Sequence, residues 1–161
     1  MIYIVCGVSG TGKTTIGKSL SEHLQIPFYD GDDFHPKENV KKMASGRPLT
    51  DEDRSGWLKT LANNIRVWQK EGGAVLACSA LKETYRELLG GDIPEIQWVV
   101  LEGDRQLILD RMNQRKGHFF SADMLDSQIE IYSCPSYGWI LNVESTPDKI
   151  MKDLILKLKK L

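Results

Sequence analysis

A chain of 161 residues with a formal net charge of −1 and a pI of about 6.3 has room for one core and carries no global basic field. Bulk electrostatic attraction to nucleic acid or to an anionic membrane is thereby excluded, and any anionic partner needs a local site. With 41% hydrophobic and 27% charged residues, the composition is that of a soluble globular domain rather than a disordered or membrane-spanning chain.

The opening MIYIVCGVSG has no basic leader, and its apolar run is too short for a signal peptide or a membrane span. Its first element is a continuously apolar strand, Ile2–Cys6, of the kind covered on both faces. A glycine-rich turn then leads into a helix over Gly12–Leu24, and Pro27–Tyr29 is a weaker strand. Thr50, with Asp53 three residues on, predicts a capped helix. That helix carries Trp57, Leu58, Leu61, Ile65 and Trp68 at helical spacing and stops at Gly72–Gly73. Strand Ala74–Cys78, helix Leu81–Leu89, strand Trp98–Leu101 and helix Arg105–Gln114 follow. Ser121 caps a helix over Ala122–Tyr132, Trp139–Val143 is the last strand, and Pro147 opens a helix over Asp148–Lys160. No repeat or linker interrupts this order, so 1–161 reads as a single α/β domain. Strands alternating with helices imply a parallel sheet with right-handed crossovers, and ligands collect beyond the carboxyl ends of its strands. The four tryptophans are assigned to packing. Cys6, Cys78 and Cys134 form no CxxC pair, so a reducing, cytoplasmic location is expected, with neither a disulfide framework nor a zinc site.

Function enters at GVSGTGKT, residues 7–14, which matches G-x-x-x-x-G-K-[ST] at every defined position. Gly7, Gly10 and Gly12 let the backbone turn so that amides from Val8, Ser9 and Thr11 onward point inward. The helix that begins there, with Thr14 and Thr15 in its first turn, adds positive potential. Lys13 is placed for the β- and γ-phosphates of ATP, and the Thr14 hydroxyl for Mg²⁺. Such a site usually needs a carboxylate as well. Ala74–Cys78 ends in Ser79 and Ala80 with no acid, while Trp98–Leu101 ends in Glu102, Gly103 and Asp104. The remaining strand-end acids are in YDGDDFHP, residues 29–36. If that segment is extended, Asp30 and Asp32 share a side, and Gly31 leaves room for substrate. One carboxylate then holds a metal-bound water and the other accepts a proton from the attacking hydroxyl. Asp33 is structural. His35 has two readings, a hydrogen bond to substrate or a contact at the start of a helix at Pro36. Basic groups suited to an anionic substrate are Arg47, Arg54, Lys82 and Arg86. A further set, Arg111, Arg115, Lys116 and His118, surrounds Gly117 as in a closing lid.

These stretches together resemble the gluconate kinases, small P-loop sugar-acid kinases related in fold to shikimate and nucleoside monophosphate kinases. The resemblance rests on GVSGTGKT (7–14), DGDDFHP (30–36), KMASGRPLTDEDR (42–54), CSALKETYR (78–86), LEGD (101–104) and RKGHFF (115–120). It implies a P-loop NTPase fold with a five-stranded parallel sheet of order 2-3-1-4-5 flanked by helices, a mobile lid at about 111–121 and a substrate-binding helical region at about 35–71. It implies phosphorylation of D-gluconate at its 6-hydroxyl by ATP, with Mg²⁺, in a homodimer that uses neither nucleic acid nor membrane. Carried over by position, Lys13 and Thr14 handle phosphates and metal, and Asp30 lies nearer the metal. Asp32 faces substrate as the catalytic carboxylate. His35, Arg54 and Lys82 contact gluconate, and Arg111 and Arg115 are catalytic lid arginines. Thr146–Pro147 falls near adenine. One departure is SQIEIYSCPS where the family has SQ-x-x-x-LE-x-P. The other readings of the sequence are a small-molecule kinase for shikimate or a nucleotide, or a nucleotide-binding switch without an acceptor.

Overall fold

In a computed structural model describing residues 1–114 and 122–161, β1 (Ile2–Cys6) lies at the centre of a parallel five-stranded sheet. The order is β2-β3-β1-β4-β5, with β2 Phe28–Asp30, β3 Ala74–Ala77, β4 Ile96–Glu102 and β5 Trp139–Asn142. The unbroken apolar runs resolve into two faces, because successive side chains point opposite ways. Ile2, Ile4, Cys6, Leu76, Cys78, Trp98 and Val100 enter one core, and Tyr3, Val5, Val75, Val99 and Leu101 enter the other.

Helices α1 (Lys13–Leu24) and α7 (Pro147–Leu158) close the second core with Ile16, Leu20, Ile150 and Leu154. The first core is covered by α3 (Asp51–Lys70), α4 (Glu83–Gly90), α5 (Arg105–Asn113) and α6 (Ala122–Ile131). On α3 the predicted stripe Trp57, Leu58, Leu61, Ile65 and Trp68 is buried. Each such side chain contributes roughly 1.5–3 kcal/mol of apolar burial. Thr50 caps α3 through a reciprocal box with Asp53, as expected.

Helix α2 (Lys37–Ala44) starts just after Pro36, where one reading of His35 places a helix entry, although its KENVKKMA lacks an apolar stripe. Its buried residue is polar Asn39, held by His35 and the Asp53 carbonyl. Helix α4 starts at Glu83 rather than Leu81, because Ala80 is left-handed (φ 42°) and Lys82 is extended. No helix among the described residues is long and apolar enough to cross a membrane.

Register brings the functional segments together. Val5 pairs with Ala77, and Asp30 pairs with Ala77 from the other side. Beyond them, Gly7 N–H donates to the Ser79 carbonyl at 3.3 Å. The phosphate loop, the end of β2 and the end of β3 therefore meet at one edge of the sheet. Cys6 and Cys78 are buried at that junction, where desolvation pushes both thiols up to about 12, while Cys134 is exposed.

Candidate active site

Gly7 leaves β1 at φ 145°, and a Cβ there would stand 2.5 Å from the Leu101 carbonyl oxygen. Only glycine fits both the conformation and the close approach, so the loop turns back over the sheet. Thr11 Oγ1 donates to the Val8 carbonyl at 2.9 Å and closes the turn from inside. Lys13 Nζ donates to the Gly7 and Val8 carbonyls at 3.1 and 3.0 Å, so its ammonium lies across the cradle. Burial lowers the Lys13 pKa, and Asp32 is the largest opposing influence. A cleft of about 290 Å³ opens here, lined by Ser9, Gly10, Gly12, Lys13, Thr14, Thr15, Asp30, Asp32, Ala77, Cys78 and Met112. It joins the predicted cradle to the predicted carboxylates.

The aspartates converge by a different geometry from the extended one expected. After β2 the chain enters a 3₁₀ turn, Gly31–Phe34, capped by Asp30, whose Oδ1 accepts from Asp32 N–H at 3.0 Å. The other Asp30 oxygen accepts from Thr14 Oγ1 at 3.2 Å. Gly31 does not leave room for substrate. It is buried, and a Cβ there would stand 2.8 Å from the Ala77 carbonyl oxygen, so the absent side chain lets the turn pack on β3. The Gly31 carbonyl accepts from Trp57 Nε1 at 2.7 Å. Trp57, read as packing alone, thus also holds the turn that presents Asp32; no sequence pattern signals a ring nitrogen aimed at a carbonyl 26 residues away. The surrounding protein pushes the Asp32 carboxyl up and Lys13 opposes this. The push comes from burial of the carboxylate against the cleft wall, although the side chain itself is 78% exposed.

His35 stacks on Trp57 with ring centres 4.2 Å apart. Asn39 Nδ2 donates to its Nδ1 at 3.2 Å, which leaves the ring proton on Nε2, 4.0 Å from Asp32 Oδ1. Burial, aided by Arg54, lowers its pKa to about 4, so the ring is neutral near pH 7. Arg54 is buried and donates from Nη1 to the Leu49 carbonyl at 2.8 Å and to the Tyr85 hydroxyl at 3.3 Å. Lys82 Nζ stands 5.5 Å from the Tyr85 ring centre and donates to Asp51 Oδ1 at 2.9 Å. The Tyr85 hydroxyl also donates to Asp51, and this bond, then the one from Lys82, lowers the Asp51 pKa. Arg54 and Lys82 are thus brought together, with an acid, Asp51, that the sequence reading did not single out.

Two of the basic residues have other roles. Arg86 is 2% exposed and donates to the Ala80 and Ser133 carbonyls and to Glu83, so it is a clamp between α4 and the segment after α6. Arg47 is exposed and donates to Ser45 Oγ. Arg111 lines a cavity of about 310 Å³ with Gly10, Thr11, Thr15, Glu144, Thr146 and Pro147, on the flank where adenine was expected. Arg115, Lys116, His118 and most of the expected lid lie outside the described residues. Among the described residues, no group of three or more His, Cys, Asp or Glu could hold a metal alone. Thr14 with Asp30 suits Mg²⁺, which keeps several waters and takes few protein ligands when phosphates supply the rest.

Strand order 2-3-1-4-5 with a phosphate loop after the central strand defines a P-loop kinase. The shikimate kinase family profile matches residues 9–158. A gluconokinase of Gluconobacter oxydans is 43% identical over 94% of this chain and 88% of its own length. The thermoresistant gluconokinase of Escherichia coli is 42% identical over 83% of this chain and 77% of its own. The crystal structure of a gluconokinase from Sinorhizobium meliloti superposes with a TM-score of 0.90 at 33% identity, covering 98% of this chain and 91% of that one. The chain belongs to the gluconokinases, within the wider shikimate kinase family.

Proposed function

We propose that this protein transfers the γ-phosphoryl group of ATP to the 6-hydroxyl of D-gluconate, giving 6-phospho-D-gluconate. The observation that carries the chemistry is the single cleft shared by Lys13, Thr14, Asp30 and Asp32. Lys13 already lies across the loop and needs only to exchange two carbonyl partners for phosphate oxygens. Thr14 and Asp30 hold Mg²⁺, which supplies charge neutralisation on the phosphates when bound. Asp32 orients the acceptor hydroxyl and takes its proton as the O–P bond forms and the bond to ADP breaks. Its pKa rises as substrate displaces water, which strengthens it as a base. His35 donates from Nε2 to a sugar hydroxyl, and Arg54 and Lys82 meet the sugar-acid carboxylate. Arg111 reaches the nucleotide on its flank of the cradle. Arg115, outside the described residues, is assigned to the charge on the transferring phosphoryl.

The whole chain acts as one catalytic domain, with 35–71 shaping the acceptor side. It works in the cytoplasm as a homodimer and needs no nucleic acid. A coupled ADP-release assay with D-gluconate, shikimate and nucleoside monophosphates tests the substrate. Shikimate belongs in the panel because of the family profile, and gluconate is expected to be the acceptor. Turnover with shikimate alone would reassign the substrate, and light scattering reads the oligomeric state.

A further inference from the structure

The phosphate loop is gripped from outside its own strand and helix. Ser9 N–H, expected to point into the cradle, instead donates to Gln128 Oε1 at 2.8 Å, and Gln128 Nε2 donates to Ser9 Oγ at 2.9 Å. These bonds join residues 119 positions apart and cross from α6 to the cradle. Ser9 lines the same cleft as Lys13, Thr14 and Asp32.

The helix that carries Gln128 is anchored on several sides. Leu125 is fully buried in the core, and Asp126 pairs with Arg105 of α5. Just past the helix, the Tyr132 hydroxyl donates to Glu102 at the end of β4, and Ser133 N–H donates to the Leu81 carbonyl. The clamp thus transmits the position of a fixed helix to the loop's first turn. A primary amide suits the task, since it accepts from an N–H and donates to a hydroxyl at once without adding charge. Glutamate has the same length but would set a negative charge beside a triphosphate.

We propose that Gln128 is a positioning residue for phosphoryl transfer. Its amide fixes Ser9 and the first turn of the cradle in the phosphate-binding conformation, and its neutrality is required by the bound nucleotide. The proposal rests on residues 7–14 holding the triphosphate.

The test compares wild type, Gln128→Glu, Gln128→Ala and Ser9→Ala in the gluconate assay and in fluorescence titrations with mant-ATP and mant-ADP. Gln128→Glu is expected to raise the KM for ATP about tenfold or more, with mant-ATP weakened more than mant-ADP and the KM for gluconate within about twofold. Gln128→Ala is expected to lower kcat about tenfold while the melting temperature moves by only a few degrees. Ser9→Ala removes one of the two bonds, preserves the charge and should shift kcat in the same direction by less. A Gln128→Glu enzyme with unchanged ATP KM, or with ATP and gluconate KM raised alike, overturns the proposal. So does a Gln128→Ala enzyme that binds ATP more tightly, which would make Gln128 a competitor for the Ser9 amide. If Gln128→Glu does not fold, Gln128→Ala and Ser9→Ala decide on the same criteria. A wild type that binds mant-ATP but ignores gluconate defeats the substrate assignment instead, and the titrations still judge the clamp.

Discussion

Lys13 and Asp32 divide the chemistry, so their variants should fail in different ways. Lys13→Ala should lower kcat by about 10²–10³-fold by removing a cation from the transferring phosphoryl. Asp32→Asn should lower it by about 10²–10⁴-fold while mant-ATP affinity stays near wild type, because the amide keeps the shape but cannot take a proton. An Asp32→Asn enzyme with near-normal turnover would remove Asp32 from the role of base. His35 carries a separate signature in stability. Its folded pKa of about 4 lies below its ordinary 6.5, so between these values the unfolded chain binds a proton that the fold excludes. Stability is therefore expected to fall as pH drops from about 6.5 towards 4, by at most about 1.4 kcal/mol per pH unit from this group. Thermal melts across that range should show the slope, and His35→Gln should flatten it.

At the level of elements, the strands and the stripe of α3 were legible because an apolar run or a 3.6-residue period is written locally. The cradle was legible for the same reason, since its loop, lysine and threonine are contiguous. The acceptor side was not. Whether Asp30 and Asp32 lie on a strand or a turn depends on Asp30 capping Asp32, and on Gly31 packing against a strand more than forty residues away. Asp51 gains its importance from Lys82 and Tyr85, about thirty positions further on. Arg86 looked like a ligand for an anion until the Ala80 and Ser133 carbonyls accounted for it. Trp57→Phe tests the coupling of α3 to the turn. It keeps the ring but leaves the Gly31 carbonyl without its donor, at a cost of about 1–3 kcal/mol. Turnover should fall further than stability alone explains, because Asp32 sits on the released turn. Unchanged kcat at a lowered melting temperature would confine Trp57 to packing.

Across the whole molecule, two cores share one sheet, and the reactive edge lies where β1, β2 and β3 end. Each layer contributes to that edge: α1 brings Thr14, the turn after β2 brings Asp32, and α6 brings Gln128. Misplacing any layer should therefore register in catalysis before it registers in folding. The placement of sulfur in this architecture has a practical outcome. Cys6 and Cys78 sit inside at the strand ends and Cys134 sits outside. A colorimetric thiol reagent should titrate one group in the native enzyme and the rest only in denaturant; two fast-reacting groups in the native enzyme would contradict this. A maleimide dye would then attach at a single natural address, and the working enzyme could be followed by fluorescence without engineering its sequence.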